Sequence, residues 1–264
     1  MKYFDSHAHY YDERFESECT TGADELIGAL LSSSVSGIIN VGTSPVTSRE
    51  AAAQAKKHKN MYTALGVHPS DTRFIEESIE NTLSDIELLI KNPDSKCVAL
   101  GEIGLDYHYP DTNKELQMNY FEEQMALARD LNIPVVIHDR EAHADVMEVI
   151  RKFKGVRGVL HSYSGSCEMA KELVSLGYMI SFSGTLTFTN ARKPKEVAAV
   201  LPAESVMIET DCPYLAPHPH RGKLNHSGYL EYTAATLAEI MGIEREECAE
   251  LTEENARRFF GIYE

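Results

Sequence analysis

No apolar run in the 264 residues approaches the roughly 20 needed to cross a bilayer, which excludes a helical membrane span. The opening stretch MKYFDSHAHY has no apolar core, so no secretory signal is expected there. Cysteine is sparse: Cys19, Cys97, Cys167, Cys212 and Cys248 are scattered, odd in number and form no CxxC. That pattern reads as free thiols in a reducing compartment, the cytoplasm. No GxGxxG follows the first strand-like run, which removes the usual reason to expect a dinucleotide-binding sheet. Low-complexity linkers and short repeats are missing too. Bases are few: 25 Lys and Arg face 41 Asp and Glu, for a formal charge of −16. Taken alone, that argues against tight binding of nucleic acid through phosphate contacts. The acidity is uneven, since residues 231–264 hold nine acids against three bases, as a solvated helical surface would.

What is there is the composition of an ordinary globular chain, 43% apolar and 25% charged. Short runs rich in Val, Ile and Leu fall at 3–7, 37–41, 62–67, 97–103, 133–138, 158–161, 178–183 and 205–210. Amphipathic stretches fill the gaps at 23–34, 45–58, 75–91, 114–131, 142–153, 167–176 and 194–200, and two more follow at 230–241 and 245–260. Punctuation agrees: Asn132 and Gly177 stand where helices should stop, and Asp111-Thr112 is a cap candidate before Lys114. Eight strands alternating with helices over this length predict a single-domain (β/α)8 TIM barrel across residues 1–264, with extra C-terminal helices. A doubly wound open sheet is the competing arrangement.

The ends of the strands carry the chemistry. In FDSHAHY, alternation predicts that Asp5, His7 and His9 share one face. The third run ends on His68, the fourth on Glu102, the fifth on His138, the sixth on His161 and the eighth on Asp211. A barrel gathers these ends at one mouth. So many buried imidazoles and carboxylates are very unfavourable together unless divalent cations sit among them. The donors exceed what one tetrahedral zinc needs, and predict two metals about 3.5–4 Å apart. No Lys ends the fourth or fifth run, so Glu102 is the candidate bridge. Hydrolysis by a bridging hydroxide at an ester, amide or phosphoester is the expected chemistry. Near the mouth, Arg140, Tyr163, Asp106, Tyr107, Arg192, Lys193, Lys195, Arg221 and Lys223 are candidates to hold an anionic substrate. The second HxH, His218-Pro219-His220, reads as a solvent-facing loop, His58 as a solvated helix residue, and His108 and His143 as surface groups.

FDSHAHY, ALGVHP, ALGEIGLDY, PVVIHDR, LHSYSG and IETDCPYLAP…HRGKLN together resemble, in order, the signature blocks of the TatD-type metal-dependent deoxyribonucleases, a branch of the amidohydrolase-like barrels. The resemblance runs from Phe4 to about Asn225. It implies His7, His9, Glu102 and Asp211 around one metal, and Glu102, His138 and His161 around a second. It implies that His68 touches substrate phosphate or water, that Glu209 supports the ligands, and that Arg221 and Asn225 order the substrate loop. Catalytic roles then fall to Glu102, Asp211 (ligand and general base) and His68; substrate contacts fall to His68, Arg140, Tyr163, Arg221 and Asn225. The implied activity is hydrolysis of DNA phosphodiesters at single-stranded ends, with two divalent ions drawn from Mg, Mn, Zn, Ni or Fe. No membrane or obligate protein partner is expected. Two alternatives compete with it: hydrolysis of a small amide, lactone or aminoacyl ester at the same site, and a non-catalytic metal- or partner-binding barrel. The chain departs from the family pattern at His226-Ser227, where an acid and Pro are usual, and at Ser162-Tyr163, where Cys-Phe is common. Tyr163 would keep an aromatic available for base stacking.

Overall fold

The computed structural model describes residues 1–263. Eight strands, β1 (Tyr3–Ala8), β2 (Val35–Val41), β3 (Met61–Leu65), β4 (Cys97–Asp106), β5 (Val135–Arg140), β6 (Gly158–Leu160), β7 (Met179–Phe182) and β8 (Val206–Ile208), form one sheet in chain order. Every neighbouring pair is parallel. The helices are α1 (Arg14–Ser17), α2 (Gly22–Ser33), α3 (Pro45–Lys57), α4 (Ile79–Lys91), α5 (Lys114–Leu131), α6 (His143–Lys152), α7 (Cys167–Ser175), α8 (Arg192–Ala198), α9 (Leu230–Met241) and α10 (Arg245–Phe260). The ring closes just past β8: Ala8 bridges Cys212, the His9 N–H donates to Cys212 O (2.8 Å), and the Asp211 N–H donates to His7 O (2.9 Å). The fold is therefore a (β/α)8 barrel with two helices after the last strand. No helix among the described residues is long and apolar enough to cross a membrane.

Period-two alternation decides what fills the barrel. One buried cluster takes a residue or two from every strand, including Phe4, Ile39, Ala64, Val136, Val159 and Met207, and this is the interior. Phe259, Phe260 and Ile262 belong to the same cluster, so the end of α10 plugs the barrel where the strands begin. Asn255 fixes that plug by donating to Val206 O (2.8 Å). The other strand face, with Leu100, Val135, Ile137, Leu160, Ile180 and Ile208, packs under the helices. Fully burying such side chains contributes about 1.5–3 kcal/mol each, so the two layers carry most of the fold's stability.

Local signals place most helix ends. Ser44 and Thr47 form a reciprocal capping box at α3, with Pro45 at its first position. Asn132 adopts the left-handed conformation that ends α5. Two expectations need correction. The cap of α5 is Asn113, whose side chain accepts from the Leu116 N–H (3.0 Å), rather than Asp111 or Thr112. The stretch expected as one helix from residue 75 starts at Ile79, capped by Ser78; before it Pro69–Phe74 winds as a 3-10 turn off the end of β3.

Candidate metal centre

Alternation carries straight from the interior to the mouth. Val136 points inward and so does His138; Val159 is followed by His161, and Met207 by Glu209 and Asp211. Two strands reach the site differently. Phe4 lies in the barrel interior, so strict alternation would turn His7 away. A register shift between Asp5 and Ala8 turns His7 and His9 inward instead. A second shift, between Leu100 and Ile103, does the same for Glu102. Asp5 therefore does not share the face of the two histidines. It accepts from the Thr210 N–H (2.9 Å), the Thr210 hydroxyl (2.6 Å) and the Ser227 hydroxyl (2.6 Å), tying β1 to the segment after β8. Burial pushes its carboxyl up to about 6 despite those donors.

Glu102 is the hub. Its Oε1 lies 2.8 Å from His161 Nε2, 2.9 Å from His138 Nδ1 and 3.5 Å from His68 Nε2; its Oε2 lies 3.3 Å from His7 Nε2 and 3.6 Å from His9 Nε2. Asp211 Oδ1 stands 3.3 Å from His9 Nε2 and 3.8 Å from His7 Nε2. Three donor groups, His7/His9/Asp211, His7/Glu102/His161 and His68/Glu102/His138, each keep their ligand atoms within 4.8 Å of one another. Glu102 and His7 are buried and His161 nearly so. Burial raises the Glu102 carboxyl, but the imidazoles of His161, His68 and His7 outweigh it and hold it well below the usual range. Burial likewise opposes charge on His161, His138 and His9, and the facing carboxylates reverse it, raising all three above an ordinary histidine.

Contacts on the far side of His9, His161, His138 and His68 fix the nitrogen that faces in. A carbonyl only accepts, so His9 Nδ1–H donates to Val41 O (2.7 Å) and Nε2 keeps its lone pair for the centre. Glu209 Oε1 accepts from His161 Nδ1 (3.3 Å), which frees Nε2. His138 Nε2 has no partner but Asp106 Oδ2 at 3.4 Å, which leaves Nδ1 inward. His68 is the opposite case. Its Nδ1 accepts from the Ser70 N–H (3.1 Å), so the neutral ring carries its proton on Nε2, toward Glu102. Burial pulls its pKa down to about 3, which keeps it neutral. His68 is thus a hydrogen-bond donor at the mouth, and the donor group containing it is the weakest of the three as a metal site.

Ring nitrogens of His9, His138 and His161 converging on two carboxylates, where a cation can displace the protons between them, suit divalent cations and suit nothing apolar. His7 Nδ1 and Glu209 Oε2 are buried with no partner, a polar cost that a packed core would not carry.

The structure disperses part of the expected substrate-binding set. Arg140 lines the cleft over the centre, a space of about 920 Å3, and is the sole Lys or Arg to do so among the described residues. Its acids are Asp12, Asp71, Glu102, Asp106, Asp139 and Asp211. Arg192, Lys193, Lys195 and Lys223 do not themselves line the cleft, although Asn190, Ala191 and Pro194 of the same segment do; Arg192 points to solvent and pairs with Glu196 (2.8 Å). Arg221 lies over the Phe188 ring at 4.3 Å. Asn225 is fully buried and donates to Thr210 O (2.8 Å) and Tyr214 O (2.6 Å), so it braces the segment after β8 and does not face substrate. Tyr163 touches the cleft but is only 4% exposed, with its hydroxyl on Ser166 O (2.8 Å), and has no free ring face. The second HxH is not an open loop: His220 stacks on Tyr229 at 4.2 Å and bonds Tyr232 (3.0 Å). His58 is half-buried, 3.6 Å from Asp24.

Several supporting residues escaped the sequence reading. Gln124 is fully buried on α5 and clasps Val67 through both its backbone groups (2.7 and 3.0 Å), just before His68. Gln117, one face along the same helix, accepts from the Asp106 N–H (2.9 Å). Two glutamines on the apolar face of a helix were the available signal.

Fold and donor set define a metal-dependent hydrolase on an amidohydrolase-like barrel. The family model described as TatD related DNase matches residues 4–261, and the chain belongs to that family. It is 38% identical over 262 residues to the metal-dependent hydrolase YabD of Bacillus subtilis, covering 98% of this chain and 99% of that protein. It is 34% identical to the metal-dependent hydrolase YcfH of Escherichia coli K12, covering 98% and 95%. Among solved structures, the TatD homologue YjjV of E. coli superposes with a TM-score of 0.88 at 28% identity, covering 99% of this chain and 98% of that one.

Proposed function

We propose that this chain hydrolyses phosphodiester bonds in DNA, at single-stranded ends. The observation that carries the reading is Glu102 at the hub of five imidazoles, with both its oxygens engaged and Asp211 beside it. In this reading His7, His9, Glu102 and Asp211 hold one divalent cation, and Glu102, His138 and His161 hold a second. When bound, such cations lower the pKa of water and neutralise charge developing on a phosphoryl group. Glu209 and Asp106 keep the His161 and His138 rings turned inward. His68 Nε2–H is free to donate to an oxygen that gains charge as water adds to phosphorus. Asp211 accepts the proton of the attacking water, and the leaving alkoxide, on the opposite side of phosphorus, takes its proton from solvent water. Arg140 is placed to meet a non-bridging oxygen.

A second reading, hydrolysis of a small amide, lactone or aminoacyl ester, is favoured by one observation: the cleft sets a single Arg against six acids. One experiment separates the two. Chelator-stripped protein receives Mg, Mn, Zn, Ni or Fe singly, and is given end-labelled single-stranded DNA in parallel with a panel of small esters, amides and lactones. Metal-dependent shortening of the DNA, lost in Glu102→Ala and His138→Ala proteins that stay folded by circular dichroism, is the expected result. Turnover of the small substrates with inert DNA would select the second reading. DNA degradation without metal, or at full rate in both variants, would overturn the mechanism.

A further inference from the structure

The acid-rich cleft poses a difficulty for any DNA substrate. Among the described residues Arg140 is the one cation lining the cleft, with Arg14 and Arg221 at its edge beside Tyr214 and Phe188, and this is little charge to grip a run of phosphates when two divalent ions would offset only about four of the six carboxylates. A strand bound there needs another source of affinity. The cleft contains one. Tyr109 and Tyr214 line it and remain 45% and 47% exposed, in contrast to buried Tyr163. Tyr109 follows β4 and Tyr214 follows β8; in a ring of eight strands in chain order these two are diametrically opposite. The two rings therefore flank the centre from opposite sides.

Tyr214 is held in place. Its hydroxyl donates to Asp12 Oδ2 (2.6 Å), and its carbonyl accepts from the buried Asn225 amide (2.6 Å). The ring centroid lies 6.4 Å from the His9 ring, so whatever covers Tyr214 is next to the metal ligands. The Arg14 guanidinium is 5.9 Å from the same ring. An exposed aromatic fixed at both ends loses little entropy when a flat partner covers it. Tyr109 has the Arg140 guanidinium 5.7 Å from its ring centroid, which puts the cleft's one cation beside an aromatic face.

Resting on the phosphodiesterase reading above, we propose that Tyr214 is a stacking platform for an unpaired nucleobase next to the scissile phosphate. Tyr109 takes a base on the far side. Base–aromatic contact, rather than phosphate charge, supplies the substrate affinity. The site then prefers short unpaired ends over duplex, whose bases are already stacked, and tolerates any base, because each has a π-face.

The test uses the metal-restored full-length protein and single-stranded oligonucleotides in which successive bases are replaced by abasic sites. Tyr214→Ala is expected to raise KM on the intact strand by about 5- to 150-fold, the range for losing one stacked base. Wild type should suffer a similar loss when one particular base is removed, and the two proteins should converge on that abasic strand. Tyr214→Phe keeps the ring and should keep most of the affinity. An unchanged KM for Tyr214→Ala, or the same penalty on intact and abasic strands, would overturn the proposal while leaving the phosphodiesterase reading standing. Equilibrium binding of a strand carrying 2-aminopurine gives a readout independent of turnover. Quenching by wild type that is lost in Tyr214→Ala, with no cleavage of any strand, would support the platform and defeat the phosphodiesterase reading. Equal quenching in both proteins would defeat the platform.

Discussion

Gly104 offers a direct test of how the barrel wall holds the centre. It pairs with His138 across β4 and β5, and adopts φ +130°, outside the range of ordinary side chains. A Cβ there would meet the His138 carbonyl oxygen at 2.0 Å and the carbonyl carbon at 3.0 Å. The neighbour is backbone, so no rotamer change relieves the overlap, and the two strands must part by about 1 Å to escape the clash and about 1.4 Å to reach an ordinary contact. Overpacking costs about 1–3 kcal/mol and the backbone conformation about 1–3 more, so Gly104→Ala should lose about 2–6 kcal/mol. At about 2–4 °C per kcal/mol, that lowers Tm by roughly 4–24 °C. The same displacement moves His138 Nδ1 from its place 2.9 Å from Glu102 Oε1, and a shift near 1 Å should cost about 100-fold in turnover. Gly155→Ala is the control. Gly155 also has positive φ, +93°, but a Cβ there meets nothing within 4 Å. It should lose only the backbone share, about 1–3 kcal/mol, and keep its metal. Urea melts and metal content by mass spectrometry, run on both variants, decide the matter. A Gly104→Ala protein as stable as Gly155→Ala, with wild-type metal content, would refute the reasoning.

Three further expectations follow from named contacts. Asp106→Asn sets an amide against His138 Nε2 and releases the constraint on its ring; metal affinity should fall about 10- to 100-fold while the thermal melt stays near wild type, as isothermal titration can report. Gly28 lies inside α2 with open space around it, so Gly28→Ala should stabilise by about 0.5–1 kcal/mol in urea melts and leave metal content unchanged. In the metal-free protein Glu102, Asp106 and Asp211 hold protons on His161, His138 and His9 above the ordinary histidine range, so those protons persist as pH rises through about 6.5 and must leave when a cation binds. Apparent metal affinity should therefore climb with pH through and above that point. Titrations in buffers of different ionisation enthalpy should show net proton release, and a pH-independent affinity would contradict the charge arrangement.

The eight strands and most helices were readable in the chain because their signals are local: apolar runs, alternation, and caps such as Asn132 and the Ser44–Thr47 pair. The seven groups that gather at the mouth were readable for a related reason. A strand ending in a polar residue after an apolar inward face can put that residue only at the barrel's open end. Alternation failed at Asp5, because register on β1 is set by pairing with β2 and no signal within the strand announces the shift. The tertiary structure alone decided which nitrogen of each imidazole faces inward, since that depends on Val41, Glu209, Asp106 and Ser70, remote in sequence or on the far side of the ring. It also decided which loop residues reach the cleft. Arg221 and Asn225 look like substrate contacts in the sequence; Arg221 lies at the edge of the cleft over the lining residue Phe188, whereas Asn225 is buried beneath Tyr214. Sequence by itself determined the barrel and which polar groups reach its mouth, both products of short-range periodicity, while the register shifts that turn His7, His9 and Glu102 inward were decided by strand pairing. The lining of the mouth, richer in acids and aromatics than in bases, was settled only when the loops after the strands were brought round a common cleft by the closing of the barrel.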